Sequence, residues 1–203
     1  MIFETKKCIY YFYINKGFEF CKPKIMFEAN TIYAKIAYEA ILVFLKSGTT
    51  LNKKEEDIPP ALKLKLACFV SVYGKDDTLR GCIGTAKPVK ENLFQEIIEN
   101  AIAAVSRDPR FEPVKEEELN NITVTVDVLS QPKMVENTEL LKPHKHGIIV
   151  RDNEGREALL LPNLDGIDSV EKQITLAKKK AGIHPKLSND ELEIQYFTST
   201  RYK

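Results

Sequence analysis

Cys82 lies in Leu79-Arg80-Gly81-Cys82-Ile83-Gly84-Thr85, where two glycines bracket a thiol and an arginine precedes it. Glycine lets the backbone take positive φ or come close to another group. The spacing therefore predicts a tight bend, whose outward amides beside Arg80, between Gly81 and Gly84, form an anion-binding nest. A guanidinium or a helix N-terminus close to the sulfur lowers a thiol pKa, as a nucleophilic or carrier cysteine requires. The plainer reading is structural, because a cysteine among apolar neighbours commonly packs as a small hydrophobe.

Further along stands Ser106-Arg107-Asp108-Pro109-Arg110-Phe111. Pairing of Asp108 with Arg80 or Arg110 either fixes a guanidinium for an anionic ligand or staples the loop to a helix end. His144 and His146 fall on one side of any extended segment, a geometry able to hold a metal. No third ligand is near them in sequence, so no metal or other cofactor is expected, and His146 also reads as a hydrogen-bonded residue at a strand start. Were the thiol catalytic, His146 or Asp108 would handle the proton. His184, after Gly182, reads as a loop histidine, and Lys178-Lys179-Lys180 as a solvated helix face. Gly81-Cys82-Ile83-Gly84 fits the GxxG loop of KH nucleic-acid modules, but that loop joins two helices, whereas a strand precedes this one.

The elements that must position these residues follow from periodicity. Ile32, Ile36, Ala37, Ala40, Ile41, Phe44 and Leu45 recur at helical spacing after Asn30-Thr31, and the run stops at Ser47-Gly48. A loop with a short helical start follows, then a strand over 68–73 entering a turn. Leu93, Ile97, Ile98, Ala101, Ile102 and Val105 make one face of a second helix, which Pro109 ends. Ile122, Val124, Val126 and Val128 alternate with polar residues as a strand with one wet face. A hairpin is predicted over 147–151 and 157–161. A helix follows over 170–181, opened by Asp168 and Glu171 as a capping box and closed at Gly182, and a last strand covers 193–198. Hairpins and irregularly placed helices argue for an α+β fold with a mixed, largely antiparallel sheet and flanking helices. The length also suits two unequal subdomains around a cleft. Residues 1–30, which hold two of the four cysteines and many aromatics, stand apart as an N-terminal appendage, with a strand over 8–14 favoured by its β-propensity.

Composition bounds the partners. Thirty basic against 29 acidic side chains leave a net charge of +1 over 203 residues, so whole-molecule attraction to nucleic acid is not expected. The longest apolar run near the start, 8–14, is far short of the ~20 residues a membrane span needs. It also lacks an export signal's cleavage pattern. Cys8, Cys21, Cys68 and Cys82 form no CxxC pair, which points to reduced thiols in a cytoplasm.

In order and spacing, LRGCIGT (79–85), SRDPRFEPV (106–114), VTVDVLSQP (124–132), KHGIIVRD (145–152), LLLP (159–162) and KKAGI (179–183) resemble the AMMECR-one domain family, also called AmmeMemoRadiSam system protein A. The resemblance covers residues 31–203 and leaves the appendage outside. It implies two subdomains with a cleft lined by 79–85, and association with a Memo-like protein and a radical SAM protein. It names no reaction. By motif, Arg80, Gly81, Cys82, Gly84, Asp108, Arg110, Phe111, His146 and Gly147 stand at characteristic positions, whereas Asn163-Leu164-Asp165-Gly166 departs from the pattern after Pro162. Two function classes follow. One is an accessory component that binds a small anionic ligand or a partner peptide at the LRGCIGT cleft. The other is an enzyme using Cys82 as nucleophile or thiol carrier with Arg80 and His146.

Overall fold

Residues 29–203 are described by the computed structural model; the strand expected over 8–14, with Cys8 and Cys21, lies outside the described residues. The first helix, α1 (Ile32–Ser47), begins where the Thr31 hydroxyl accepts from the Ala34 amide and ends at Gly48, whose φ of 68° closes the αL cap. The second, α2 (Leu93–Ser106), is capped by Asn92 accepting from the Gln95 amide. Both lay their apolar stripes on one sheet of β1 (Cys68–Tyr73), β2 (Leu79–Gly84), β3 (Thr123–Leu129) and β8 (Ser199–Tyr202), ordered β2-β1-β3-β8. Val70, Val72, Val124 and Val126 face the helices with no exposure and form the main core with Ile36, Ile41, Ile97 and Ala101. Full burial of side chains of this size contributes ~1.5–3 kcal/mol each.

The second sheet has β4 (Lys133–Met134), β5 (Gly147–Arg151), β6 (Glu157–Leu160) and β7 (Glu193–Phe197), ordered β4-β7-β5-β6. One face packs on α3 (Val170–Ala181) through Ile148, Val150, Leu160, Ile174 and Ala177. Every strand pair in both sheets is antiparallel. The expected α+β architecture thus takes the form of two sheets of four strands rather than one mixed sheet, each with helices on one side only. Their helix-free faces meet in a small apolar seam of Ala67, Phe69, Leu129, Ile149, Leu159 and Phe197.

Three local expectations are revised. Ser169, not Asp168, caps α3 by accepting from the Lys172 amide, while Asp168 pairs with the Lys172 ammonium at 2.8 Å. The strand expected over 193–198 ends at Phe197 as β7, and past Thr198 a further strand that was not expected, β8, follows in the other sheet. The lysine run is not simply solvated. Lys178 is buried and donates to the Leu187 carbonyl (2.7 Å), and Lys180 donates to that of Leu159 (2.9 Å), so two long stems tie α3 to neighbouring backbone.

Candidate functional site

The stretch expected to bend is the edge strand β2, in register with β1 from Gly84 opposite Phe69 to Gly81 opposite Val72. Neither Gly81 nor Gly84 has positive φ, so no nest of outward amides forms. Both glycines serve close approach instead. A Cβ on Gly81 would stand 2.0 Å from the Ala104 carbonyl oxygen of α2, and one on Gly84 would stand 2.3 Å from the Phe69 ring.

Alternation along β2 turns Cys82 to the face away from the helices, beside Ser71 directly opposite on β1. The Ser71 hydroxyl donates to Cys82 Sγ at 3.2 Å, and the thiol is half-buried. The backbone of Cys82 points off the sheet edge and is held by the 106–111 loop. Its N–H donates to Asp108 Oδ2 (2.8 Å), and its carbonyl accepts from Arg110 Nη2 (3.1 Å). Asp108 in turn grips Arg110 through Nε (3.0 Å) and Nη2 (2.7 Å), and accepts the Arg110 amide at Oδ1 (3.1 Å). The carboxylate is 2% exposed. Those donors, the guanidinium first, hold its pKa well below the usual carboxylate range. It is therefore an ionised acceptor and has no proton to give near neutral pH. The loop also occupies the edge of β2 at Cys82, where another strand would otherwise add.

The other expected site residues divide. Arg80, expected as an anion clamp, is engaged elsewhere: Nε and Nη2 donate to Glu118 at 2.8 and 2.9 Å, and Nη1 donates to the Glu112 carbonyl at 3.2 Å. Glu118 is what raises the Arg80 pKa, so this guanidinium is spoken for. His146 belongs to the second sheet. Its Nδ1 accepts from the Lys142 amide (3.2 Å), its carbonyl accepts from Gln173 Nε2 (2.9 Å), and its ring lies 5.1 Å from that of Tyr196. Partial burial, then the neighbouring Lys145 and Lys142, lowers its pKa and favours the neutral ring. Gly147 beside it leaves no room for a Cβ, which would meet the Phe197 ring at 2.3 Å. The structure thus brings Cys82, Asp108 and Arg110 together, and ties Arg80 and His146 into separate packing arrangements.

Sequence reasoning missed Ser71, Thr125, Asp127 and Arg201, which share the face of Cys82. The β3 alternation sets Thr125 and Asp127 on the strand's polar face, which was the signal available; the expected wet face is not wet, since both residues are buried beneath their neighbours in the structure. Arg201 of β8 sits opposite Asp127 and donates to it through Nε and Nη2, both at 2.9 Å. His144 lies on a surface groove of about 380 Å³ with Asn163, Asp165, Gly166 and Asp168. Among the described residues no three His, Cys, Asp or Glu side chains are grouped to hold a metal ion.

The other described thiol behaves differently. Cys68 is fully buried, with Asn100 donating to its sulfur (3.6 Å), and burial pushes its pKa up to about 12. At pH 8 the native protein is expected to take up iodoacetamide at Cys82 and not at Cys68, read by peptide mass spectrometry. Labelling of both at equal rates would refute this arrangement.

The AMMECR1 family model matches residues 34–202. A protein of Thermotoga maritima is 45% identical over 172 residues, which is 84% of this chain and 97% of that one. A Clostridium acetobutylicum protein is 40% identical over 172 residues, but only 36% of its length is spanned. Among solved structures, an uncharacterised protein from Pyrococcus horikoshii superposes with a TM-score of 0.73 at 29% identity, covering 87% of this chain and 92% of that one.

Proposed function

This chain belongs to the AMMECR1 family, and from that premise and the geometry around Cys82 we propose that it is a binding component of a radical-SAM- and Memo-linked modification system, receiving a small anionic ligand on the helix-free face of its first sheet. One observation carries this reading. A half-buried thiol, with a hydroxyl on its sulfur, lies within electrostatic reach of two guanidiniums, Arg110 and Arg201. Each guanidinium donates through Nε and Nη2 and has no recorded partner at Nη1 among the described residues. Arg110 and Arg201 therefore replace Arg80 as the cations of the site. Both are matched by carboxylates, so selectivity comes from directed N–H groups rather than from net charge. A peptide adding as a strand to β2 is disfavoured, because Asp108 and Arg110 already occupy that edge.

The test is the alkylation of Cys82 in the native protein by iodoacetate and by iodoacetamide, which differ in charge. The ratio of their rates is expected to exceed that of the same cysteine in urea by about three- to tenfold, and to fall in Arg110→Gln, as local fields of this kind raise ion concentration. Equal ratios in native and unfolded protein would end the anion-site reading. Co-expression with the radical SAM and Memo-like proteins tests the partnership, and co-purification is expected.

A second reading, Cys82 as nucleophile, is favoured by the half-buried thiol's placement beside the Ser71 hydroxyl, which donates to its sulfur. Against it, the Arg80 and His146 groups it would use are engaged elsewhere. Cys82 reactivity already at its plateau at neutral pH would favour the enzyme; reactivity still rising through alkaline pH favours the binding component.

A further inference from the structure

Two hydroxyls on the helix-free face of the first sheet have no hydrogen-bond partner: Thr125 Oγ1 on β3 and Ser199 Oγ on β8. Thr125 is 5% exposed. Buried polar groups are nearly always satisfied, so this orphan calls for a partner that the chain itself does not supply, a water or a ligand group.

The register shows what surrounds it. Cys82 is opposite Ser71 and Ser71 is opposite Thr125, so a thiol and two hydroxyls run in one row across β2, β1 and β3. Asp127 and Arg201 form the neighbouring row on the same face. The Arg201 guanidinium is within electrostatic reach of both Cys82 and Tyr73. Asp127, two positions from Thr125 on the same face of β3, holds the Arg201 Nε and Nη2, so the guanidinium stands beside the Thr125 row. Among the described residues, the donors left without an acceptor on this face are then the buried Thr125 O–H and the Arg201 Nη1 hydrogens, with the Arg110 Nη1 hydrogens beyond Cys82. Donors without acceptors predominate, which is the complement of an oxyanion.

We propose that Thr125 and Arg201 form an oxyanion subsite, which binds the carboxylate or phosphate oxygens of a ligand whose other end reaches Cys82. This rests on the reading that the Cys82 face binds an anionic ligand, and names the head group that ligand carries.

The experiment follows iodoacetamide alkylation of Cys82 in the full chain, with inorganic phosphate or acetate added at constant ionic strength set by chloride. Both anions are expected to slow alkylation saturably. Thr125→Val and Arg201→Gln are each expected to raise the half-protecting concentration about tenfold, as loss of one charge-assisted hydrogen bond does, whereas Lys172→Gln on α3 leaves it unchanged. Denaturation midpoints of the variants establish that they fold; Thr125→Val removes an unsatisfied hydroxyl and is expected to keep or raise the midpoint. Protection unchanged in Thr125→Val, or matched by chloride, would overturn the subsite. In that event the iodoacetate preference and its loss in Arg110→Gln still decide the anion-site reading by themselves.

Discussion

Gly81→Ala is expected to cost the fold about 3 kcal/mol or more, a large part of the ~5–15 kcal/mol that holds a domain together. The added methyl would stand 2.0 Å from the Ala104 carbonyl oxygen and 2.9 Å from its carbon, both in the backbone of α2. A flexible side chain can swing aside, but a helix backbone cannot, so α2 and β2 must separate along the main core. Gly155→Ala is the control. It meets nothing within 4 Å and suffers only from its φ of +82°, for which ~1 kcal/mol is expected. Urea denaturation of both variants checks the contrast. A Gly81→Ala loss no larger than that of Gly155→Ala would mean that the strand and helix are not in such close contact.

Asp108→Ala is expected to lose about 3 kcal/mol or more, because it leaves the Cys82 amide and the Arg110 guanidinium without their shared acceptor. Asp108→Asn keeps one acceptor oxygen and is expected to lose roughly half as much. The wild-type carboxylate has a lowered pKa in the folded protein. Its stabilisation is therefore complete above the ordinary carboxylate range and is lost as pH falls from that range towards the lowered folded value. The stability difference between wild type and Asp108→Asn should accordingly be constant near neutral pH and shrink in acid. A difference independent of pH down to the acid transition would contradict the ion pair. The variant should also expose the β2 edge to strand pairing with other molecules, seen as concentration-dependent light scattering.

The helices, the hairpin and the β3 alternation were legible because each shows a period or a cap in one short window. Thr31, Gly48, Gly155 and Gly182 do in the structure what their residue types announce. The role of Gly81 and Gly84 was not legible. A glycine serving a turn and one serving close approach look alike in one dimension, and only the position of Ala104 or Phe69 tells them apart. Asp108 announced an arginine partner, but two candidates stood equally open, since the choice depends on which strand edge the loop meets. Arg80 went to Glu118, 38 residues away, through a contact no local pattern encodes. Arg201 was invisible for the same reason, because it lies on β8, beyond the last strand expected over 193–198 and in a different sheet from β7.

That crossing at Thr198 sets the order in which the two sheets can be completed. The fourth strand of the first sheet emerges from the ribosome after the whole of the second, and Arg201 must find Asp127, 74 positions earlier in the chain. Pairings between such remote segments form slowly. During synthesis, β3 thus presents an unpaired flank until β8 has followed the second sheet out of the ribosome, and for that interval the nascent chain is where a chaperone would bind to best effect.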